Sequence, residues 1–137
     1  MIIKIEVDSE RAKSIYKMTL NREKFIKALE ITQESVTIIT ENYYEVILEL
    51  GTVILFTEGL KATGESAHRE IIDYLGKINI MNPEEVSISQ DLRLKRNYSL
   101  YEGKQINKEY LIQKKSRLEE IILKLRKAVE KRLNKIH

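Results

Sequence analysis

YYEVILELGTVILF, residues 43–56, decides the fold of this chain. Ile39, Tyr43, Val46, Ile47, Leu50, Val53 and Ile54 recur at the i, i+3, i+4 spacing of one helix face. Tyr44, Leu48 and Leu55 widen that face, and Glu41, Glu45, Glu49 and Thr52 leave only a narrow polar stripe. The many β-branched residues invite a strand. A strand would place Glu45 and Glu49 on the same face as Ile47, where period two demands burial. The spacing therefore predicts a helix over about residues 38–60, and a helix apolar over most of its girth is the buried one of a bundle. The run from Val46 to Phe56 is broken by Glu49 and is shorter than the roughly 20 apolar residues of a membrane span, so no membrane segment is expected.

Outward from this helix, Ile2 to Val7 alternate apolar and polar imperfectly, and residues 1–8 can be an extended arm. Asp8 or Ser9 can cap a helix over 10–29, because either side chain accepts a bond from a first-turn amide. Its apolar positions are Ile15, Met18, Phe25, Ile26 and Leu29, and Asn21 is a place for a bend. Gly59 and Gly64 bracket a loop. A helix over 66–75 follows, with Ala67, Ile71 and Leu75 inward and Gly76 as the stop. Asn82-Pro83-Glu84-Glu85 reads as an Asn cap with Pro at the first helical position, and a capping box over Ser87 to Gln90 opens a fourth helix that ends near Gly103. The last helix covers about 107–136, with Leu118, Ile122, Leu125, Val129 and Ile136 in heptad-like spacing and Arg132 the polar exception. One Pro and five Gly in 137 residues suit long helices rather than many strands. The expected fold class is all-α, a bundle of four or five helices, with residues 1–137 as one domain.

The absence of Cys excludes a disulfide scaffold and a Cys-based zinc site, and fits a reducing cytosol. MIIKIEVDSE has no basic region followed by a long apolar run, so no signal peptide is expected and the localisation reads as cytoplasmic. Abundant Lys, Glu and Ile without Cys or Trp suits a heat-stable, thermophilic source. The net charge of +3 hides an asymmetry. Residues 1–103 carry 13 Lys and Arg against 17 Asp and Glu, whereas residues 104–137 carry 11 against 4. A basic C-terminal third suits a polyanion, and equally a solvated helix face rich in Lys.

No Gly-rich phosphate loop, HExxH, EF-hand loop or GxSxG motif is present. No cofactor is expected, and metal chemistry would rest on carboxylates alone. His68, near a helix start, reads as hydrogen-bonded or solvated rather than catalytic, and His137 as frayed and inert. The segment with chemistry is DLRLKRNYSLYEG, residues 91–103. Ile88, Leu92, Arg96 and Leu100 lie four apart, so Arg96 interrupts an apolar stripe. A guanidinium turned toward a core needs acceptors there, or it lines a cleft. Asn97 and Tyr101 also lie four apart and can meet on one side, while Arg93, Lys95 and Lys104 add positive charge. These groups can hold a phosphodiester, or they can satisfy backbone carbonyls where two helices meet.

RNYSLYEG, residues 96–103, resembles the HEPN motif, in which an Arg, usually followed by Asn, stands a few residues before a His at a helix end. YYEVILELGTVILFTEGLKATGESAHREIIDYL (43–75) looks like the central helix, loop and following helix of archaeal HEPN proteins, and DLRLKRNYSLYEGKQINKEYL (91–111) like their motif helix and the start of the last one. The resemblance covers roughly residues 9–133. It implies an up-and-down bundle that forms a homodimer with two motifs in one cleft. Many such proteins are metal-independent endoribonucleases, often toxins paired with a minimal nucleotidyltransferase antitoxin; others bind RNA or nucleotide, or act as scaffolds. Arg96 matches the motif Arg and Asn97 its neighbour. Tyr101, or Leu100 in a register shifted by one, stands where the motif has His. A phenol, with a pKa near ~10, is a poor base near neutrality, but it can bond a phosphate or stack on a base.

The leading expectation is a weakly catalytic or non-catalytic dimer that binds RNA or nucleotide beside a nucleotidyltransferase-type partner. The binding set would be Arg96, Asn97, Tyr101, Arg93, Lys95 and Lys104. The alternatives are an endoribonuclease toxin using Arg96 and Tyr101, and a helical scaffold with no nucleic-acid ligand.

Overall fold

The computed structural model describes residues 1–135; Ile136 and His137, the end of the expected C-terminal stripe, lie outside the described residues. In chain order the elements are β1 (Ile2–Lys4), α1 (Ser9–Lys27), α2 (Val36–Thr57), β2 (Leu60–Ala62), α3 (Ala67–Lys77), α4 (Pro83–Glu102) and α5 (Lys108–Lys135). The fold is an all-α bundle of five helices with one small sheet at its edge. Among the described residues no helix is long and apolar enough to cross a membrane.

Residues 43–56 lie wholly inside α2, and the other four helices all pack on it. Tyr43, Tyr44, Val46, Ile47, Leu50, Val53 and Ile54 are completely buried. Two of the stripe's carboxylates are met by arginines from neighbouring helices. Arg22 of α1 reaches Glu49 at 3.1 Å, and Arg96 of α4 reaches Glu45 at 3.3 Å. Gly51 sets the approach of α3: a Cβ there would lie 2.5 Å from Cγ2 of Ile71.

The arm is β1, paired antiparallel to β2 with Ile3 opposite Lys61. The segment between Gly59 and Gly64 is therefore a strand rather than a plain loop, and Ile5 N–H donates to the Gly59 carbonyl at 2.8 Å. α1 begins as expected, with the Asp8 carboxylate accepting from Arg11 N–H at 3.0 Å, and it runs unbroken through Asn21. Its inward face differs from the hydropathy reading. Met18 and Phe25 are 59% and 62% exposed, while Ala12, Tyr16, Thr19, Glu23 and Ile26 are buried. The polar members of that line find partners inside. Tyr16 donates to Glu130, Thr19 to Glu49 at 3.0 Å, and Glu23 accepts from Arg126 at 3.1 Å. A buried polar group so satisfied costs little to bury, and the helix rotates accordingly.

Two punctuation marks also differ. Gly76 lies within α3 rather than stopping it, since a Cβ there would lie 2.6 Å from Val86 of α4; the chain turns instead through Asn79, at φ 62°. The capping box that opens α4 is Asn82 with Glu85, not Ser87 with Gln90, which lie one turn inside the helix. Pro83 is the first helical residue, where its missing N–H is not needed. Glu85 is buried and receives Lys124 of α5 at 2.7 Å. Burial pushes its carboxyl up, but Lys124, the Asn82 amide and Arg117 outweigh this and hold it below the usual carboxylate range.

Among the described residues the apolar stripe of α5 (Leu111, Leu118, Ile121, Ile122, Leu125 and Val129) is buried within the chain, while Ile112 and Leu123 off that stripe are exposed. Much of the basic charge of α5 is also engaged internally: Arg117 with Glu84 and Glu120, Lys124 with Glu85, Arg126 with Glu23, and Arg132 with Glu58.

Gly51→Ala tests the packing of α2 on α3. In an open helix this change stabilises by about 0.5–1 kcal/mol. Here the new methyl meets a β-branched side chain that cannot swing aside, and a loss of about 1–3 kcal/mol is expected in denaturant unfolding. Adding Ile71→Ala should make Gly51→Ala less harmful than it is in the wild-type background.

Candidate functional site

The apolar stripes of α3 and α4 both face α2, and each continues into a polar residue. In α4 the line Ile88, Leu92 runs into Arg96; in α3, followed backwards, Leu75 and Ile72 run into His68. The start of α3 and the end of α4 therefore deliver an imidazole and a guanidinium to the same stretch of α2, at Tyr44 and Glu45.

Tyr44 is fully buried and joins the two. The Arg96 guanidinium lies 5.4 Å from the centre of its ring, and its hydroxyl is 3.0 Å from Nδ1 of His68. The Tyr44 and His68 rings are 5.8 Å apart and tilted by 59°. Arg96, its side chain 20% exposed, donates through Nη2 to Glu45 and through Nη1 to Asn97, both at 3.3 Å. Both fates foreseen for that guanidinium are thus realised: it has an acceptor toward the core, and it lines a cleft.

The cleft has a volume of about 420 Å³ and is walled by the Gly64–Arg69 segment on one side and by Arg93, Arg96, Asn97 and Tyr101 of α4 on the other. Arg93 is aimed by a relay: its Nε donates to Gln90 at 2.7 Å, and Gln90 in turn donates to Asp73 at 2.9 Å and to the Arg69 carbonyl at 3.1 Å. The first turn of α3 lies in the wall, and Ser66 does not cap it with its side chain. The Ala67 and Glu70 amides are bonded to the Gly64 and Ser66 carbonyls at 3.2 and 2.9 Å, and the helix dipole at this end favours an anion. Arg69 adds a cation and Glu65 an acid. Among the described residues no group of three or more His, Asp or Glu side chains is placed to hold a metal ion.

Of the six residues predicted from sequence, the structure brings Arg93, Arg96, Asn97 and Tyr101 together. Lys95 and Lys104 go elsewhere. They line a separate hollow of about 190 Å³, where Lys95 lies 5.2 Å from the Tyr110 ring centre and Lys104 5.6 Å from that of Tyr98. Leu100 is exposed rather than part of the stripe, while its neighbour Ser99 is buried. Tyr101 is 76% exposed at the cleft rim.

No family model, curated protein or solved structure matches the chain.

Sequence reasoning passed over Tyr44, Glu45 and His68 as site residues. His68 had one legible signal, its place on the line of Ile72 and Leu75. Tyr44 had none, because a tyrosine on an apolar helix face looks like core, and here it is core as well. Burial pushes the Tyr44 phenol up to about 12. Burial lowers the His68 imidazole below its ordinary 6.5; Glu45 opposes that shift, while Arg96 and Arg93 add to it. His68 is therefore mostly neutral at pH 7.

An NMR titration of His68 should give a midpoint below 6.5. Arg96→Ala should raise that midpoint and Glu45→Gln should lower it further, since the first removes a like charge and the second an opposite one. Movement of both in one direction would break the assigned electrostatics.

Proposed function

We propose that this chain is a HEPN-like helical protein that binds the phosphodiester of RNA, or the phosphate of a nucleotide, in the cleft between α3 and α4. The supporting observation is the convergence of Arg93, Arg96 and the first turn of α3, with Arg69, on one open cleft. Two guanidinium forks suit the oxygens of a phosphate. Glu45 and Asn97 occupy part of the Arg96 fork and hold it in place, so little side-chain ordering remains to be done when a ligand arrives. Tyr101, exposed at the rim, is a stacking surface for a base. Catalysis is weak or absent in this reading, because the position of the motif His carries a phenol. An endoribonuclease built on Arg96 and Tyr101 is the second reading; the juxtaposition of these two side chains in one cleft favours it.

We further propose that the protein acts as a homodimer beside a minimal nucleotidyltransferase-type partner. Support for the homodimer comes from α4 rather than α5. Leu94, Tyr98 and Tyr101 are exposed at i, i+4 and i+7, an apolar strip next to the cleft. A two-fold pair across that strip would bring two clefts close together.

Fluorescence anisotropy with a short single-stranded RNA, and separately with ADP, tests the cleft. Affinity should fall with salt. Arg96→Ala should weaken binding by about 1–3 kcal/mol, the scale of a lost charge-assisted bond, and Arg96→Lys should recover only part of it. If Arg96→Ala lowers stability and alters no binding, the guanidinium is structural and the site is wrongly placed.

Sedimentation velocity at micromolar concentration should show a dimer, and Leu94→Glu should shift it to monomer without loss of helicity. A wild type that is monomeric throughout would remove the dimer.

A further inference from the structure

We infer that His68 is the proton-transferring group of this cleft: oriented through Nδ1 by Tyr44, it takes the 2′-hydroxyl proton of an RNA strand whose phosphodiester lies on Arg93 and Arg96. This rests on the phosphodiester-binding reading above and adds an activity to it.

The geometry supplies what the motif lacks. The helix position that would carry a His has Tyr101, yet an imidazole enters the same cleft from α3, far away in sequence. Nδ1 is engaged by the Tyr44 hydroxyl at 3.0 Å, which leaves Nε2 as the ring nitrogen available to a cleft ligand. Tyr44 cannot drift, being completely buried beneath Arg96 and inside α2. Its hydroxyl oxygen accepts from Nδ1–H both before and after Nε2 takes a proton, and so holds the ring in one orientation in both charge states.

The step balances as a transphosphorylation. The 2′-oxygen attacks the adjacent phosphorus while its proton passes to Nε2 of His68. The bond from phosphorus to the 5′-oxygen breaks, and that oxygen takes a proton from water. The products are a 2′,3′-cyclic phosphate and a 5′-hydroxyl, and His68 returns its proton to solvent. Arg93 and Arg96 face the non-bridging oxygens, where charge accumulates. One placed base without a placed acid gives a slow reaction, since each such group contributes about 10²–10⁴-fold. The groups around the imidazole are Glu45 and Tyr44 from α2, Arg93, Arg96 and Tyr101 from α4, and Glu65 and Arg69 from its own segment. Burial and the two α4 arginines favour the neutral ring, so the base form is present at pH 7.

The experiment uses a labelled oligoribonucleotide in EDTA, with mass spectrometry of the ends and anisotropy on the same samples. Wild type should cleave slowly and leave cyclic phosphate ends, and a 2′-deoxy sugar at the cleaved position should block it. His68→Gln should lose about 10²-fold or more in rate while still binding RNA. Tyr44→Phe should also lose rate, with the midpoint of its pH profile displaced. The wild-type rate should rise with pH through a midpoint below 6.5 and then level off. Equal cleavage by wild type and His68→Gln overturns the assignment, as does a wild type that binds RNA and never cuts it. So does loss of cleavage in Tyr101→Phe but not in His68→Gln, which makes the phenol the active group. A wild type that binds no RNA overturns the phosphodiester reading itself.

Discussion

Glu45 and Glu49 sit on a helix that is buried almost all round. Both carboxylates are partly buried, and a cation beside each offsets the cost of taking it out of water. Arg22 from α1 answers Glu49, and Arg96 from α4 answers Glu45. The two pairs fix how the flanking helices turn about α2. The delivery of Arg96 to a cleft wall follows from the narrow polar stripe of one helix, and the rotation of α1 that exposes Phe25 and buries Glu23 follows from that stripe together with Arg126 and Glu130 of α5.

The cleft inherits its rigidity from the core. Tyr44 belongs to the packed interior by its ring and to the site by its hydroxyl, so the imidazole of His68 is held by a residue that cannot move without opening the bundle. Arg93 is held by Gln90, which itself spans to α3. Side chains held this way are ordered in the folded chain, and the entropy of fixing them is spent in folding.

Charge shows the same division. The C-terminal third is strongly basic, yet Arg117, Lys124, Arg126 and Arg132 serve as counterions to acids on the linker after α2 and on α1, α4 and α5 itself. The basic tail neutralises the acidic first part of the chain. The cations that face the cleft come instead from α4 and from the start of α3, segments that overall charge does not single out.

The sequence by itself determined that the chain forms long helices and that α2 is central, because helix periodicity and capping are relations among residues three or four apart. Asp8, Asn82 with Pro83, and Gly103 mark ends that such local rules read correctly. It also marked Arg96 as a polar break in an apolar stripe. Tertiary structure alone decided that Lys95 and Lys104 turn away from Arg96, that Gly76 is a contact rather than a stop, and that His68 joins the site. The reason is that a helix fixes neighbours only along its own faces. Which face of α3 meets which face of α4 is set by their direct contact at Gly76 and Val86, by the close approach of α3 to α2 at Gly51, and by the Arg96–Glu45 pair, and no spacing within one helix encodes that meeting.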